Sequence, residues 1–288
     1  MTSPTDPVVT APWLMARPRP WSDLRVVDVR WSLSKRGRDA YAAGHVEGAA
    51  FLDLDVDLSA PSGPGRHPMP ERAQLERVFG AIGVDATTHV VAYDDAGGAI
   101  AARVWFLLRR YGHERVSILD GGFPAWVAAG GPVSTDEPSC EPQALNLAAP
   151  QRSDVVDKAF VERLALGGGA DRTLLLDARA RERYRGDTEP VDARPGHIPS
   201  AVNAPFADLL VAKADGTTGL KSKSELEAYF RSLGAGAADD IVVYCGSGVT
   251  ACLDVLALER AGFAALIYEG SYSDWARDDR LPVALGDR

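Results

Sequence analysis

The residues with the clearest capacity for chemistry lie in segment 241–252, which reads Ile-Val-Val-Tyr-Cys-Gly-Ser-Gly-Val-Thr-Ala-Cys. An apolar, β-branched run ends at Cys245, a Gly-Ser-Gly loop follows, and the residues after it suit a helix. Backbone N–H groups converge where such a loop meets a helix N-terminus, and they favour a thiolate or a bound anion. The pattern therefore predicts that Cys245 is a nucleophile.

Composition limits the class of protein that must position this cysteine. The chain has 288 residues, is 46% hydrophobic and 25% charged, and carries a net charge of −9. These values are typical of a soluble globular protein with room for two domains. It contains neither an apolar run of membrane-spanning length nor a dense basic run, so we expect no membrane or nucleic-acid partner.

Cysteine usage predicts the compartment. The three cysteines, Cys140, Cys245 and Cys252, are too few and odd in number for a disulfide framework, which favours free thiols in a reducing cytoplasm. Cys140 is predicted to be an incidental surface thiol. Cys252 is predicted to pack in the core, with a resolving thiol as the alternative.

The chain repeats itself over its two halves. Segment 24–30 matches segment 173–179, and Asp28 aligns with Asp177, 149 residues later. Further matches in the same order pair 44–49 with 196–201, 90–94 with 242–245 and 119–126 with 268–275. This order indicates duplication of one domain. Asp94 stands at the position of Cys245, so the first half is predicted to be catalytically silent.

Alternation of short apolar runs with amphipathic segments predicts an α/β fold in each half, with a parallel sheet covered by helices on both faces. Predicted strands lie near 25–29, 49–52, 89–93, 116–119, 173–178, 201–204, 241–245 and 265–269. Predicted helices lie near 71–81, 99–111, 123–129, 222–233, 249–261 and 273–278. We expect a silent domain at 1–135, a catalytic domain at 152–288 and a linker at 136–151, which is rich in Pro and Glu.

These motifs resemble the rhodanese superfamily in its tandem two-domain form, across nearly the whole chain. The loop Cys-Gly-Ser-Gly-Val-Thr at 245–250 is most similar to that of the 3-mercaptopyruvate sulfurtransferases. Thiosulfate sulfurtransferases usually carry basic residues where this chain has Gly246 and Ser247. The resemblance implies two rhodanese-like domains and sulfur transfer from 3-mercaptopyruvate, with thiosulfate as the alternative donor.

Formation of a persulfide would require a thiolate and nearby hydrogen-bond donors, and the loop can supply both. A thiolate at Cys245 would attack a transferable sulfur, and the loop amides would hold the persulfide anion until a thiol or cyanide accepts the sulfur. Glycines let the backbone turn its N–H groups inward without a Cβ clash. No metal or organic cofactor is required. The loop residues predicted to bind the transferred group are Gly246, Gly248, Val249 and Thr250.

The resemblance also implies a Ser-His-Asp set that assists proton transfer on mercaptopyruvate. The matching residues are Ser247, His67 and Asp55, the last two from the first half of the chain. Asp53 and Asp57 flank Asp55, so a shifted register remains open. Otherwise Ser247 would satisfy a backbone amide, and His67 would be a solvated turn residue.

Arginine suits a substrate carboxylate because its planar guanidinium can bind both oxygens. By resemblance, Arg183 matches the substrate-binding arginine of the family. A second family arginine follows a Glu-Pro pair, and Arg194 is the nearest match in a stretch that is shorter than usual. Arg179 directly follows a strand end and is predicted to form a structural pair.

Two other classes of function fit the sequence less well. A cysteine phosphatase needs an arginine six residues after its cysteine, and this chain has Ala251 there. A non-catalytic scaffold would not need the intact loop of the second half. The predicted partners are therefore a small-molecule sulfur donor, 3-mercaptopyruvate or thiosulfate, and an acceptor such as thioredoxin, a small thiol or cyanide.

Overall fold

The computed structural model describes residues 6–34, 36–150, 154–167 and 172–287. They form two compact units that are not contiguous in the sequence. Unit 1 contains the described residues up to Ala60, those from Met69 to 150, and Leu210–Leu220. Unit 2 contains Pro61–Pro68 and the remaining described residues from 154 onward. The predicted linker ends at 151 and the predicted second domain starts at 152, and both positions lie outside the described residues.

Unit 1 is built on a five-stranded parallel sheet of order β1-β6-β5-β2-β4. Its strands are β1 Val8–Val9, β2 Leu24–Asp28, β3 His45–Val46, β4 Ala50–Phe51, β5 His89–Tyr93, β6 Val116–Leu119 and β7 Val133–Ser134. Its helices are α1 Ala11–Met15, α2 Gly37–Ala43, α3 Arg72–Ala81, α4 Ala101–Arg110 and α5 Gly122–Ala128. Two antiparallel pairs complete the unit: β3 with β7, and β11 Leu210–Ala212 with β12 Thr218–Leu220.

Unit 2 repeats the same strand order, as β8-β14-β13-β9-β10, and its sheet is also parallel. Its strands are β8 Val155–Val156, β9 Thr173–Asp177, β10 Val202–Asn203, β13 Asp240–Tyr244 and β14 Leu266–Tyr268. Its α-helices are α6 Lys158–Leu166, α7 Arg181–Arg185, α8 Lys223–Ser232, α9 Ala251–Arg260 and α10 Ser271–Trp275, and a 3₁₀ helix spans Phe206–Leu209.

The central strands explain why the sheets form. All five residues of β5 and the last four of β13 are buried, as expected for a parallel sheet covered on both faces. The α/β prediction is confirmed, and each predicted strand overlaps an observed one. The short edge elements were missed, because two-residue strands such as β1 and β8 carry no periodicity to detect. No helix in the described ranges has both the length and the apolar character to cross a membrane.

A buried ion pair fixes the carboxyl end of β9. Arg179 donates from Nε and Nη2 to Asp177, at 2.6–3.1 Å, and from Nη2 to the Gly196 carbonyl at 2.7 Å. Burial works to lower the pKa of Arg179, but the charge and hydrogen bonds of Asp177 outweigh it and raise that pKa above its usual value. The predicted structural role of Arg179 therefore agrees with its contacts.

Unit 1 contains the same pair at the end of β2. Arg30 donates from Nε and Nη2 to Asp28 at 2.6–3.1 Å, and from Nη2 to the Gly44 carbonyl at 2.7 Å. Tyr93 donates its hydroxyl to Asp28 at 2.7 Å. The duplication thus preserves a buried charge arrangement at the strand ends, and not only the apolar core.

The loop after β5 shows what its backbone prefers to bind. Asp94 accepts four amide hydrogen bonds: Oδ1 from Ala96 and Gly98 at 2.9 and 2.8 Å, and Oδ2 from Ile100 and Ala101 at 2.7 and 2.9 Å. This carboxylate is completely buried. The loop amides of unit 1 therefore donate to a carboxylate of the chain itself.

Asp94→Ala is expected to destabilise unit 1 by about 3–5 kcal/mol, because four inward-facing amides lose a buried charged acceptor. Hydrogen–deuterium exchange followed by mass spectrometry should show faster exchange across 96–110. The matched control is Asp95→Ala, since Asp95 is an exposed neighbour. Equal protection in the Asp94→Ala variant and the wild type would contradict this explanation.

Candidate active site

Cys245 lies directly after β13, a strand that pairs with β9 on one side and β14 on the other. Its side chain is only 2% exposed. The Cys245 amide donates to Ser271 Oγ at 3.2 Å, and its carbonyl accepts from the Tyr272 amide at 2.9 Å. The first residues of α10 therefore hold the Cys245 backbone in place through two hydrogen bonds.

The loop that follows places backbone donors around the sulfur. The Gly248 amide donates to Cys245 Sγ at 3.2 Å, and Gly248 has a positive φ of 76° that favours glycine. Within the described part of the chain, the amides of Ser247, Val249 and Thr250 donate to no protein acceptor. Buried N–H groups without partners are uncommon, so this loop suits a ligand with negative charge.

The silent unit supports the same conclusion. Ala96 and Gly98, whose amides bind Asp94, align with Ser247 and Val249 of the second half. A carboxylate reaches four amides from the first position of its loop, whereas the shorter thiol side chain accepts from one. The loop of unit 2 thus has donors left over beside its nucleophile.

A histidine and a serine meet beside the loop. His67 Nδ1 lies 2.8 Å from Ser247 Oγ, and both side chains are buried. Segment Pro61–Pro68 packs with unit 2, although it comes from the first half of the sequence. The structure therefore brings together two members of the predicted proton-transfer set, and His67 is not a solvated turn residue.

Asp55, the third predicted member, lies in unit 1. Its Oδ2 accepts from Trp31 Nε1 at 2.9 Å, and its amide donates to Asp53 Oδ1 at 2.8 Å. Asp57 accepts instead from the Asp53 amide, and burial raises its pKa. The role of Asp55 stays a prediction.

Arg183 is brought to the catalytic loop. It donates from Nε and Nη2 to Glu189 at 3.2 and 2.7 Å, and from Nη2 to Asp192 at 2.8 Å. A Cβ atom at Gly246 would lie 3.5 Å from Arg183 Nη1. Burial works to raise the pKa of Glu189, but hydrogen bonds from Arg183 and the 191 and 192 amides lower it overall.

Arg194 lies against the segment at the end of α10, and its role in binding substrate stays a prediction. Its guanidinium donates to four main-chain carbonyls at 2.8–3.3 Å, those of Trp275, Ala276, Asp278 and Leu281. Because these contacts engage Nε and both terminal nitrogens, the side chain holds the segment at the end of α10.

Arg66 is a neighbour of the loop that the sequence did not reveal. A Cβ atom at Gly246 would lie 2.9 Å from Arg66 Nη2, closer than to Arg183. In the sequence, only its position next to His67 indicates that Arg66 lies near the site. The segment is rich in Pro and Gly and has no periodicity from which the direction of a side chain could be predicted.

Asp254 is a second residue that sequence reasoning missed. It lies on α9, is completely buried, and neither carboxylate oxygen has a hydrogen-bond partner. Burial, followed by the nearby charge of Cys245, raises its pKa well above the usual range. The neutral acid is therefore the favoured form near the nucleophile.

Cys252, also on α9, is completely buried and donates from Sγ to the Gly248 carbonyl at 3.3 Å. These contacts agree with the predicted packing role. Cys140 is partly buried, and its Sγ lies 3.9 Å from the Pro138 carbonyl oxygen.

Fold and site together define a two-domain α/β protein whose second half holds a buried cysteine in a loop of amides. Residues 10–129 and 161–278 each match the family model of the rhodanese-like domain. The chain belongs to the rhodanese-like family, with two domains in tandem.

Proteins of similar sequence are named as sulfurtransferases. A Pseudomonas aeruginosa protein named "Probable 3-mercaptopyruvate sulfurtransferase" is 42% identical over 273 residues, which are 92% of this chain and 93% of the relative. The thiosulfate sulfurtransferase of Rattus norvegicus is 36% identical over 262 residues, 88% of this chain and 85% of the relative.

A solved structure shows the same fold over nearly the whole of this chain. The 3-mercaptopyruvate sulfurtransferase from Leishmania major superposes with a TM-score of 0.80 at 29% identity, covering 97% of this chain and 76% of that one. The predictions of a tandem rhodanese fold and of a sulfurtransferase enzyme are confirmed by these comparisons.

Asp254→Leu is expected to stabilise the protein by about 1–3 kcal/mol at pH 8, because it removes a buried carboxyl without partners. A raised pKa means that the folded state keeps a proton that the unfolded chain loses, so wild-type stability should fall as pH rises above about 4. Chemical unfolding at pH 5 and pH 8 should show a smaller difference in the variant.

The control for this prediction is Asp279→Leu, since the Asp279 side chain is 94% exposed. It should leave the pH dependence unchanged. A loss of stability in Asp254→Leu at pH 8 would show that Asp254 has a partner that stabilises its charge.

Proposed function

We propose that this chain transfers a sulfur atom from 3-mercaptopyruvate, through a persulfide on Cys245, to a thiol or cyanide. One observation carries the proposal: the buried Cys245 sulfur lies 3.2 Å from the Gly248 amide, in a loop whose other amides have no protein acceptor in the described chain. The names of its relatives support the donor.

The first half-reaction forms one S–S bond and breaks one C–S bond. The Cys245 thiolate attacks the mercaptopyruvate sulfur, and the electron pair of the C–S bond passes to the pyruvate enolate. The thiol proton of the substrate then protonates the enolate carbon, which releases pyruvate and leaves the persulfide anion. Loop amides at Gly246, Gly248, Val249 and Thr250 bind the negative charge of that outer sulfur.

Proton transfer gives Ser247 and His67 their roles. The proton must move from the substrate sulfur to the enolate carbon, and a hydroxyl hydrogen-bonded to an imidazole can relay it. Asp55 stays the predicted third member of this set. The outer sulfur then leaves by attack of an acceptor thiolate, such as thioredoxin or a small thiol, or of cyanide, which restores the Cys245 thiolate.

Thiosulfate is the second candidate donor. Two guanidinium groups, those of Arg66 and Arg183, face Gly246 and would attract a dianion, although the loop itself contains neither Lys nor Arg. Release of sulfite needs no proton transfer to carbon, so the buried Ser247–His67 hydrogen bond favours mercaptopyruvate. We further propose a cytoplasmic location, supported by three free cysteines.

Cys245→Ser is expected to abolish sulfur transfer, lowering turnover by at least about 10³-fold, because a hydroxyl cannot form the persulfide. Intact mass spectrometry after treatment with mercaptopyruvate should show one added sulfur atom in the wild type. Cys252→Ser is the matched control and should still gain it. An added sulfur on the Cys245→Ser variant would sink the proposed nucleophile.

His67→Asn is expected to lower turnover with mercaptopyruvate by about 10²–10⁴-fold, the usual contribution of general acid–base catalysis. Turnover with thiosulfate should change far less. Pyruvate release from one donor and sulfite release from the other measure the two reactions. An equal loss with both donors would contradict the proton relay, and a wild type that prefers thiosulfate would reverse the choice of donor.

A further inference from the structure

Ser271, the first residue of α10, holds the main chain of Cys245. Its hydroxyl accepts from the Cys245 amide at 3.2 Å and donates to the Tyr268 carbonyl at 2.9 Å. The side chain is completely buried. Because its one proton is used on that carbonyl, the hydroxyl oxygen presents a lone pair to the cysteine amide. The amide that directly follows β13 thus obtains its acceptor from a side chain.

The backbone of Ser271 has a conformation that costs energy. Its φ is 52°, in the left-handed region that a residue with a Cβ atom rarely adopts. The equivalent residue of unit 1 is Gly122, and its φ of 57° carries no such cost. Glycine would therefore suit this turn at position 271 as well, and what serine adds there is the hydroxyl group.

Ser273 makes the same pair of contacts toward another segment of unit 2. Its buried hydroxyl accepts from the Arg66 amide at 3.1 Å and donates to the Gly270 carbonyl at 3.2 Å. The segment that contains Arg66 lies close against this turn, because a Cβ atom at Gly65 would lie only 2.5 Å from the Gly270 carbonyl oxygen. The hydroxyl therefore fixes the main chain one residue before His67.

Unit 1 keeps the main-chain contact of this turn and lacks both hydroxyls. The Tyr272 amide donates to the Cys245 carbonyl at 2.9 Å, and the equivalent amide and carbonyl of unit 1 meet at 2.8 Å. At the two serine positions unit 1 has Gly122 and Pro124. The main-chain contact therefore belongs to the fold that both units share, whereas the two hydroxyls occur in the unit that holds Cys245.

We propose that Ser271 and Ser273 are positioning residues for sulfur transfer. Ser271 fixes the nucleophile, and Ser273 fixes the segment that carries His67. Since the two serines lie two positions apart on one turn, they set the spacing between the nucleophile and the histidine. His67 Nδ1 in turn lies 2.8 Å from Ser247 Oγ, in the loop that Cys245 begins. The proposal rests on the proposed function for the roles of Cys245 and His67.

Ser271→Gly and Ser271→Ala test the first role. Both remove the hydroxyl, but only glycine relieves the positive φ, so Ser271→Gly should unfold at a higher temperature than Ser271→Ala. Both should lower kcat about 10-fold with mercaptopyruvate and with thiosulfate, with little change in KM, because the lost hydrogen bond holds Cys245 and not the donor. Alkylation of Cys245 by iodoacetamide, located by peptide mass spectrometry, should slow to a similar extent.

Ser273→Ala tests the second role. It should lower kcat with mercaptopyruvate about 10-fold, because His67 loses its fixed place beside Ser247. Alkylation of Cys245 by iodoacetamide should keep the wild-type rate, since Ser271 still holds the cysteine. The two serines should therefore differ in the alkylation assay although both variants turn over mercaptopyruvate slowly.

Ser232→Ala is the matched control. It removes an exposed hydroxyl that donates to the Tyr229 carbonyl, also three residues earlier, and it should match the wild type in both assays. Wild-type kcat in Ser271→Gly, with or without a loss in Ser271→Ala, would overturn the first role and leave only backbone strain. Slower alkylation in Ser273→Ala, or an unchanged kcat with mercaptopyruvate, would overturn the second role.

Failure of the proposed function would give a different result. A wild type that releases sulfite from thiosulfate but no pyruvate from mercaptopyruvate would contradict the proposed donor, and the role of Ser273 would fail with it. The alkylation rates and sulfite release of the two Ser271 variants would still decide whether Ser271 positions Cys245.

Discussion

The structure depends on one constraint: the loop after the central strand of each sheet turns several amide N–H groups toward one place. Buried N–H groups require an acceptor. In unit 1 the Asp94 carboxylate supplies four acceptor contacts and the loop is complete. In unit 2 the Cys245 sulfur accepts from Gly248, and other amides in the loop have no acceptor among the described residues. The same loop backbone thus binds a carboxylate of the chain itself in one half and keeps free donors beside a cysteine in the other.

The loops can keep this geometry because buried ion pairs fix the neighbouring strand ends. A pair such as Arg179 with Asp177 contributes little net stability, since both charges lose their hydration. Its value lies in orientation: the guanidinium joins the end of β9 to the carbonyl of Gly196. The same contacts recur at Arg30 and Asp28 in unit 1, at the end of the equivalent strand β2. Their role is therefore to hold the strand ends in place.

The sequence predicted those features that leave a periodic pattern or a repeat, namely the central strands and the two domains. Cys245 stands out in the sequence because it ends an apolar run, opens a Gly-rich loop and differs from its duplicate, Asp94, and its role as nucleophile stays a prediction. The carbonyl contacts of Arg194 could not be predicted, because its spacing from the Glu-Pro pair gives no information about the main-chain groups that its guanidinium meets. Arg66 lay in a segment without periodicity that joins the other unit. Asp254 on α9 looked like a polar position in an amphipathic helix, and only its burial shows otherwise.

The charged side chains near Cys245 are paired with one another. Glu189 and Asp192 balance the nearby guanidinium groups, and burial favours the neutral form of Asp254. The loop from Gly246 to Thr250 contains no charged side chain. The anion of the proposed persulfide would therefore be stabilised by amide dipoles, whose effect is short-range and little screened by salt in a buried site. Such a site can hold the anion of the intermediate and still release sulfur to an approaching thiol, because no strong ion pair has to be broken.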